Sequence, residues 1–291
     1  MVLIGFGLAI VYWMLDTILS VFMSYDLNFF SRLLGVGYDE LWPRLIVICL
    51  FVIFGSHAQY TINERKKAEE RSLKEIATRE RFQRLMSPDL AEMVVSGSLD
   101  VEKGGETRIA TVMFIDIRDF TAMSEKMTAD KVLQILNEYF ELIVDIVFYH
   151  EGTVDKFIGD AIMVIWGAPV QHDDDPSRAV RAALEVQREL VKFNKILKKK
   201  GLKEIRVGIG INTGSLVAGY IGSSQTMSYS VIGDTVNTAS RLCAAAKAGQ
   251  ILISERTYTA IHKEFQSVEL DPITAKGKYR PVKVFNVTGE K

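Results

Sequence analysis

The stretch Gly152–Gly167 reads GTVDKFIGDAIMVIWG. Its apolar and β-branched content is that of a buried hairpin. Gly159 and Asp160 fall where the turn belongs. Lys156 and Asp160 then stand four residues apart, one cation and one anion at the tip of a core hairpin. Locally, a salt bridge or turn chemistry accounts for both, since a lysine on an edge strand deters aggregation. Whether they do more depends on the rest of the chain.

Outward from the hairpin, the pattern from Arg108 is mixed α/β. RIATVMFIDI (108–117) reads as a buried strand. Residues 128–150 carry apolar side chains at helical spacing, among them Val132, Leu136, Phe140, Ile143 and Val147. Residues 176–200 form a basic amphipathic helix ending at Gly201. EIRVGIGINTG is a strand, SYSVIG another, and 234–247 a helix; GQILIS and VKVFNV give two later strands. This β-α-β-β-α-β order predicts an α+β, ferredoxin-like sheet covered by helices on one face.

In such a fold the first strand neighbours the hairpin, so the carboxylates of Asp116 and Asp160 converge. Two carboxylates on adjacent strand ends are the hard-oxygen set that Mg2+ takes, with substrate phosphates completing the shell. Asp119 competes for the role one step past the strand, and a helix cap is the alternative for Asp116. In SYSVIGDTVNTASRL, Asn237 and Arg241 lie four apart on one helix face. An amide and a guanidinium so aligned reach a ribose and a phosphate; a solvated helix face is the plainer alternative. In ITAKGKYRPVKVF, Lys276 sits in a Gly-bearing loop within reach of a phosphate, with Lys278 as the alternative and a surface lysine as the default for both.

Toward the N-terminus the composition changes. From Val2 to Met23 the only charge is Asp16, and from Leu45 to Asn63 there is none. Each run is long enough to cross a bilayer core of roughly 30 Å. The first has no basic n-region, which argues against a signal peptide. A transmembrane hairpin over 1–63 is expected, with Asp16 facing the bundle interior or a partner helix. Arg65, Lys66, Lys67, Arg71 and Lys74 follow the second span. Their excess places the remainder in the cytoplasm and the chain as multi-pass in the inner (plasma) membrane. A cytoplasmic helical linker, 64–104, follows, with a fresh helix start at Ser87-Pro88-Asp89 and Gly97, Gly104 and Gly105 closing it. The net charge of −1 gives no sign of nucleic-acid binding. Two cysteines and four scattered histidines offer neither a disulfide framework nor a His-based metal site.

FIDIRDFT, DKFIGDAIM, YSVIGDTVNTASRL and AKGK, in this order and at these separations, resemble the catalytic domain of class III nucleotidyl cyclases. The resemblance covers 105–291, and RFQRLMSPDLAEMV looks like the segment that precedes such domains in bacterial cyclases. It implies a homodimer whose active sites are shared across the interface. Asp116, Asp160 and the backbone carbonyl of Ile117 would hold two divalent ions, Mg2+ or Mn2+. Backbone amides near Phe120 and Thr121 would cradle the outer phosphates. Lys156 and Ser230 of the other copy would read the purine, Asn237 would orient the ribose, Arg241 would meet the α-phosphate and Lys276 the terminal phosphates. Lys156 and Asp160 would then serve different sites of the pair. The family's guanylyl members carry an acid and a cysteine at the purine-reading positions, and its adenylyl members Lys with Asp or with Thr/Ser. Lys156 with Ser230 resembles the Lys-Thr/Ser subclass, which implies ATP as substrate and 3′,5′-cyclic AMP as product, for signal transduction. A guanylate cyclase and a catalytically silent membrane signalling subunit are the competing readings. Asp119 stands where the family usually has Gly.

Overall fold

A computed structural model describes residues 2–23, 38–83, 93, 96, 104–223, 225–273 and 281–291. It divides into two compact units, Met1–Phe82 and Gln83–Lys291.

The first unit holds two helices, α1 (Val2–Met23) and α2 (Tyr38–Gln83). Both contain segments long and apolar enough to cross a membrane, Leu3–Met23 and Leu45–Lys74. Their large apolar side chains point outward: Leu3, Phe6, Leu19, Ile46, Ile53 and Phe54 are all exposed. The helices meet through small residues. A Cβ on Gly5 would stand 2.7 Å from the carbonyl oxygen of Phe51, and Ala9, one turn on, is buried. α2 starts at Tyr38, earlier than the apolar run, and continues without a break through the basic stretch to Gln83. The expected helix start at Ser87 lies outside the described residues.

The second unit contains β1 (Gly104–Ile117), α3 (Phe120–Ser124), α4 (Ala129–Tyr149), β2 (Thr153–Ile158), β3 (Ala161–Trp166), α5 (Asp175–Lys199) and β4 (Val207–Gly222). It continues with β5 (Met227–Ile232), α6 (Asp234–Ala245), β6 (Ile251–Ser254), α7 (Glu255–Ile261), β7 (Phe265–Ile273) and β8 (Val282–Glu290). The strands form one sheet in the order β2-β3-β1-β4-β6-β8-β7, with β5 also paired to β4. Among the described residues only the β4–β6 pairing is parallel. The subset β2-β3-β1-β4 with α4 and α5 is the expected ferredoxin-like core. β1 begins at Gly104, four residues before its apolar run, because the long β4 continues beside it and pairs Tyr220 with Gly104. Gly104 and Gly105, two of the three glycines expected to close the linker, are therefore strand residues.

Alternation along β1 feeds two cores. Met113, Ile115 and Ile117 face one side, packed with Tyr139, Ile143 and Val147 of α4 and Val180, Ala183 and Val186 of α5. Ala110, Val112 and Phe114 face the other, packed with Ala239 and Cys243 of α6. The one-sided layering expected from the element order therefore holds for α4, α5 and α7, whose Ile261 joins the same core, but not for α6. α6 covers the opposite face because its own buried stripe, Thr235, Ala239 and Leu242–Cys243, needs an apolar surface.

The approach of α6 to the sheet rests on Gly210. A Cβ there would lie 2.1 Å from the Cys243 nitrogen and 2.5 Å from the Ala239 oxygen. Gly210→Ala should therefore cost about 3 kcal/mol by overpacking. A drop in melting temperature, with loss of whatever activity α6 supports, checks this; an unchanged melt would mean that α6 does not sit so close.

Candidate active site

The hairpin tip and the end of β1 are neighbours because β1 pairs with β3. Ile115 lies opposite Ile162, which brings Asp116 alongside the turn. That turn has two residues, Gly159 and Asp160, closed by the pairing of Ile158 with Ala161. Gly159 adopts φ 63°, a left-handed conformation that glycine takes without steric cost. The Asp160 carboxyl is pushed above the usual range, first by burial and then by the negative charge of Asp116. The backbone N–H groups of Asp160 and Ile117 oppose that shift by donating to it. The Arg118 N–H donates at 2.8 Å to the oxygen of Arg206, the residue just before β4. By ladder alternation the N–H and C=O of Ile117 face the other way, toward the hairpin tip.

Asp116 is joined to Arg118, whose guanidinium contacts its carboxylate. Motif reading passed over Arg118, although residues two apart on a strand share a face. Asp119 precedes α3 at the N-cap position with φ 59° and makes no side-chain cap. A positive φ favours glycine and is tolerated by Asp and Asn. The departure from glycine at this position is thus sterically allowed. Phe120 and Thr121 form the first turn of the five-residue α3.

Lys156 turns away from Asp160. Its ammonium donates to the Ser230 hydroxyl at 3.0 Å and pairs with Asp155 at 3.1 Å. Ser230, set opposite Gly219 on β4, in turn donates to Asp155 at 3.0 Å. Asp155 opens the DKFIGDAIM motif, but motif reading gives it no role. Its signal is structural: the β2–β3 register shifts between Val154 and Lys156, so Asp155 is the extra residue of a β-bulge.

Asn237 and Arg241 lie on α6 as the spacing predicts. Asn237 is exposed and Arg241 half-buried. The Arg241 Nη1 atom is buried without a hydrogen-bond partner, a cationic donor poised for an anion. Burial, then the charge of Asp116, pushes the neighbouring Cys243 thiol up to about 12, so it carries no thiolate chemistry. Lys276 and Lys278 lie outside the described residues.

Among the described residues no group of three or more His, Cys, Asp or Glu side chains is placed to hold a metal ion. What the fold supplies is one carboxylate pair at raised electrostatic cost beside an inward-facing carbonyl. A divalent cation relieves that repulsion, and the all-oxygen donor set suits Mg2+ or Mn2+.

Residues 103–289 match the family described as the adenylate and guanylate cyclase catalytic domain. Adenylate cyclase 1 of Rhizobium meliloti strain 1021 is 36% identical over 181 residues, 62% of this chain and 27% of that protein. The chain thus spans about a quarter of that relative's length. Among solved structures, the adenylyl cyclase CyaB from P. aeruginosa is 34% identical with a TM-score of 0.63, covering 65% of this chain and 97% of that one. The guanylyl cyclase Cya2 is 37% identical with a TM-score of 0.61, covering 65% and 95%.

The raised Asp160 carboxyl means that ionising it costs the folded state more than the unfolded one. That cost is present above its folded pKa and relieved as pH falls through it. At neutral pH, Asp160→Asn should therefore melt higher than the parent without added metal, and should lose the stabilisation that millimolar Mn2+ gives the parent. A thermal melt with and without Mn2+ reads both; an undiminished Mn2+ shift would remove Asp160 from the metal site.

Proposed function

We propose that this chain, which belongs to the adenylate and guanylate cyclase catalytic domain family, is a membrane-anchored homodimeric adenylate cyclase. It converts ATP to 3′,5′-cyclic AMP and pyrophosphate. The observation that carries the ATP reading is the contact of Lys156 with Ser230. An ammonium only donates, and adenine N1 accepts where guanine N1–H donates. Overall identity does not choose between the purines, since an adenylyl and a guanylyl cyclase match almost equally well.

Asp116, Asp160 and the Ile117 carbonyl would hold two divalent ions, Mg2+ or Mn2+. Bound there, such ions supply Lewis-acid activation of the ribose 3′-hydroxyl and neutralise charge on the triphosphate. The other roles fall to the chain itself. Backbone N–H groups of Phe120 and Thr121, at the start of α3, bind the outer phosphates. Asn237 orients the ribose. The unpartnered Nη1 of Arg241 meets charge on the α-phosphoryl oxygens as the bonds exchange. Lys276 holds the terminal phosphates.

A second copy of the chain completes each site. In support, Phe157 at the hairpin and Ile232 on β5 are 50% and 57% exposed, apolar surface that a partner would cover. Membrane anchoring is supported by the two helices with outward apolar faces. The cytoplasmic position of the catalytic unit follows from the basic stretch after the second span.

The full chain in membranes, given Mn2+ with ATP or GTP, should form cyclic AMP in preference to cyclic GMP. Asp116→Ala and Arg241→Ala should each lower turnover at least about 100-fold. Mixed at equal amounts, the two variants should regain about one quarter of wild-type turnover. Half of randomly paired dimers are then mixed, each with one intact site of two. Cyclic GMP as the main product would favour the guanylate reading; no recovery from proven mixed dimers would refute the shared site.

A further inference from the structure

The adenylate reading leaves one weakness at the purine-reading pair. A serine hydroxyl both donates and accepts, so by itself it meets the donor N6–H2 of adenine or the acceptor O6 of guanine equally well. The structure removes this ambiguity with Asp155, which stands at the head of the hairpin motif but has no role in the motif reading.

Asp155 and Lys156 are adjacent in sequence and should point to opposite faces of a regular strand. The β-bulge between Val154 and Lys156 cancels that alternation. Both side chains reach the same atom, Ser230 Oγ, at 3.0 Å each. Lys156 Nζ also lies 3.1 Å from the Asp155 oxygen that takes the Ser230 proton. The Asp155 side chain is 1% exposed, and Ser230 as a residue 5% exposed. Solvent therefore has little part in orienting the hydroxyl.

Donor and acceptor counting then leaves one arrangement. Lys156 has only donors and a carboxylate has only acceptors. The Ser230 hydroxyl must accept from Lys156 and donate to Asp155. One lone pair remains on Oγ, and one N–H remains on the half-exposed Lys156. The pair thus offers a substrate one acceptor and one donor. This is the complement of the adenine edge, N6–H2 and N1, and mismatches both O6 and N1–H of guanine. Burial raises the Asp155 carboxyl, while the Ser230 and Lys156 donors pull it back toward the ionised acceptor that the arrangement uses.

We propose that Asp155 is a positioning residue that sets purine choice: by claiming the Ser230 proton it turns an ambivalent hydroxyl into an acceptor and leaves Lys156 as the donor. This rests on the adenylate cyclase reading and extends it from which residues face the base to what fixes their polarity. A two-residue reader thereby becomes a three-residue relay, and Ser230 does the work of a fixed acceptor without carrying a charge.

The test is the ratio of kcat/KM for ATP to that for GTP, measured on the full chain in membranes for wild type, Asp155→Asn, Ser230→Ala and the double variant. The ratio should fall about 10-fold in Asp155→Asn, the equivalent of one 1.4 kcal/mol hydrogen-bond preference, chiefly through a higher KM for ATP. Ser230→Ala should lower it to a similar value. The double variant should fall no further than either single one, because both changes break one relay. A merely structural Asp155 would lower turnover of both nucleotides alike and leave the ratio unmoved, which overturns the inference; so do independent, additive effects. Ser230→Ala keeps the question open to refutation if Asp155→Asn fails to fold, since an unchanged ratio in that variant also rules the relay out. A wild type that prefers GTP refutes the adenylate reading itself. A wild type that prefers ATP with variants that keep its ratio refutes the relay alone.

Discussion

Asp116 and Asp160 repel each other, and the fold holds them together nonetheless. Their meeting follows from the register of β1 against β3 and from a turn only two residues long. That register is enforced by apolar burial. A slip of one residue would move Met113, Ile115 and Ile117 from the α4–α5 core to the opposite face. Burying one such side chain is worth about 1.5–3 kcal/mol. Several of them together outweigh the cost of facing two carboxylates. The core therefore fixes an electrostatic arrangement that would not form by its own energetics, and a cation becomes the natural means of relieving it.

The two faces of the sheet divide the labour. On one, α4 and α5 bury a broad apolar layer that keeps the strands in place. On the other, α6 lies close enough to the backbone of β4 that Gly210 has no room for a side chain. That closeness holds Arg241 half-buried, with one guanidinium nitrogen shielded and unpartnered. A buried donor without a partner costs about 1–3 kcal/mol. On the proposed function, a substrate phosphate would supply the missing partner. The bulge in β2 acts in the same spirit, spending ladder regularity to aim Asp155 and Lys156 at one hydroxyl.

Much of this was legible in the residues. The helices at 129–149 and 175–199 follow from apolar spacing at a period of 3.6, and the hairpin from its Gly-Asp turn between β-branched runs. The four motifs carried the family and contain all ten candidate site positions, of which nine lie within the described residues. Arg118 and Asp155 escaped notice for different reasons. Arg118 looked like an ordinary charge beside a more conspicuous Asp. Asp155 would point away from Lys156 in a regular strand, and nothing in local composition announces a bulge. The placement of α6 was missed because element order alone does not say on which face of a sheet a later helix lands.

Periodicity, turn chemistry and motif spacing are local properties, so the sequence by itself determined the elements, the apolar N-terminal runs and the residue types available for chemistry. Which of those residues touch was decided by tertiary structure. Contacts such as that between Lys156 and Ser230, 74 positions apart, depend on strand register and on one irregular step in a ladder. Both are settled by how the whole sheet packs its two faces, a balance that no short window of sequence contains.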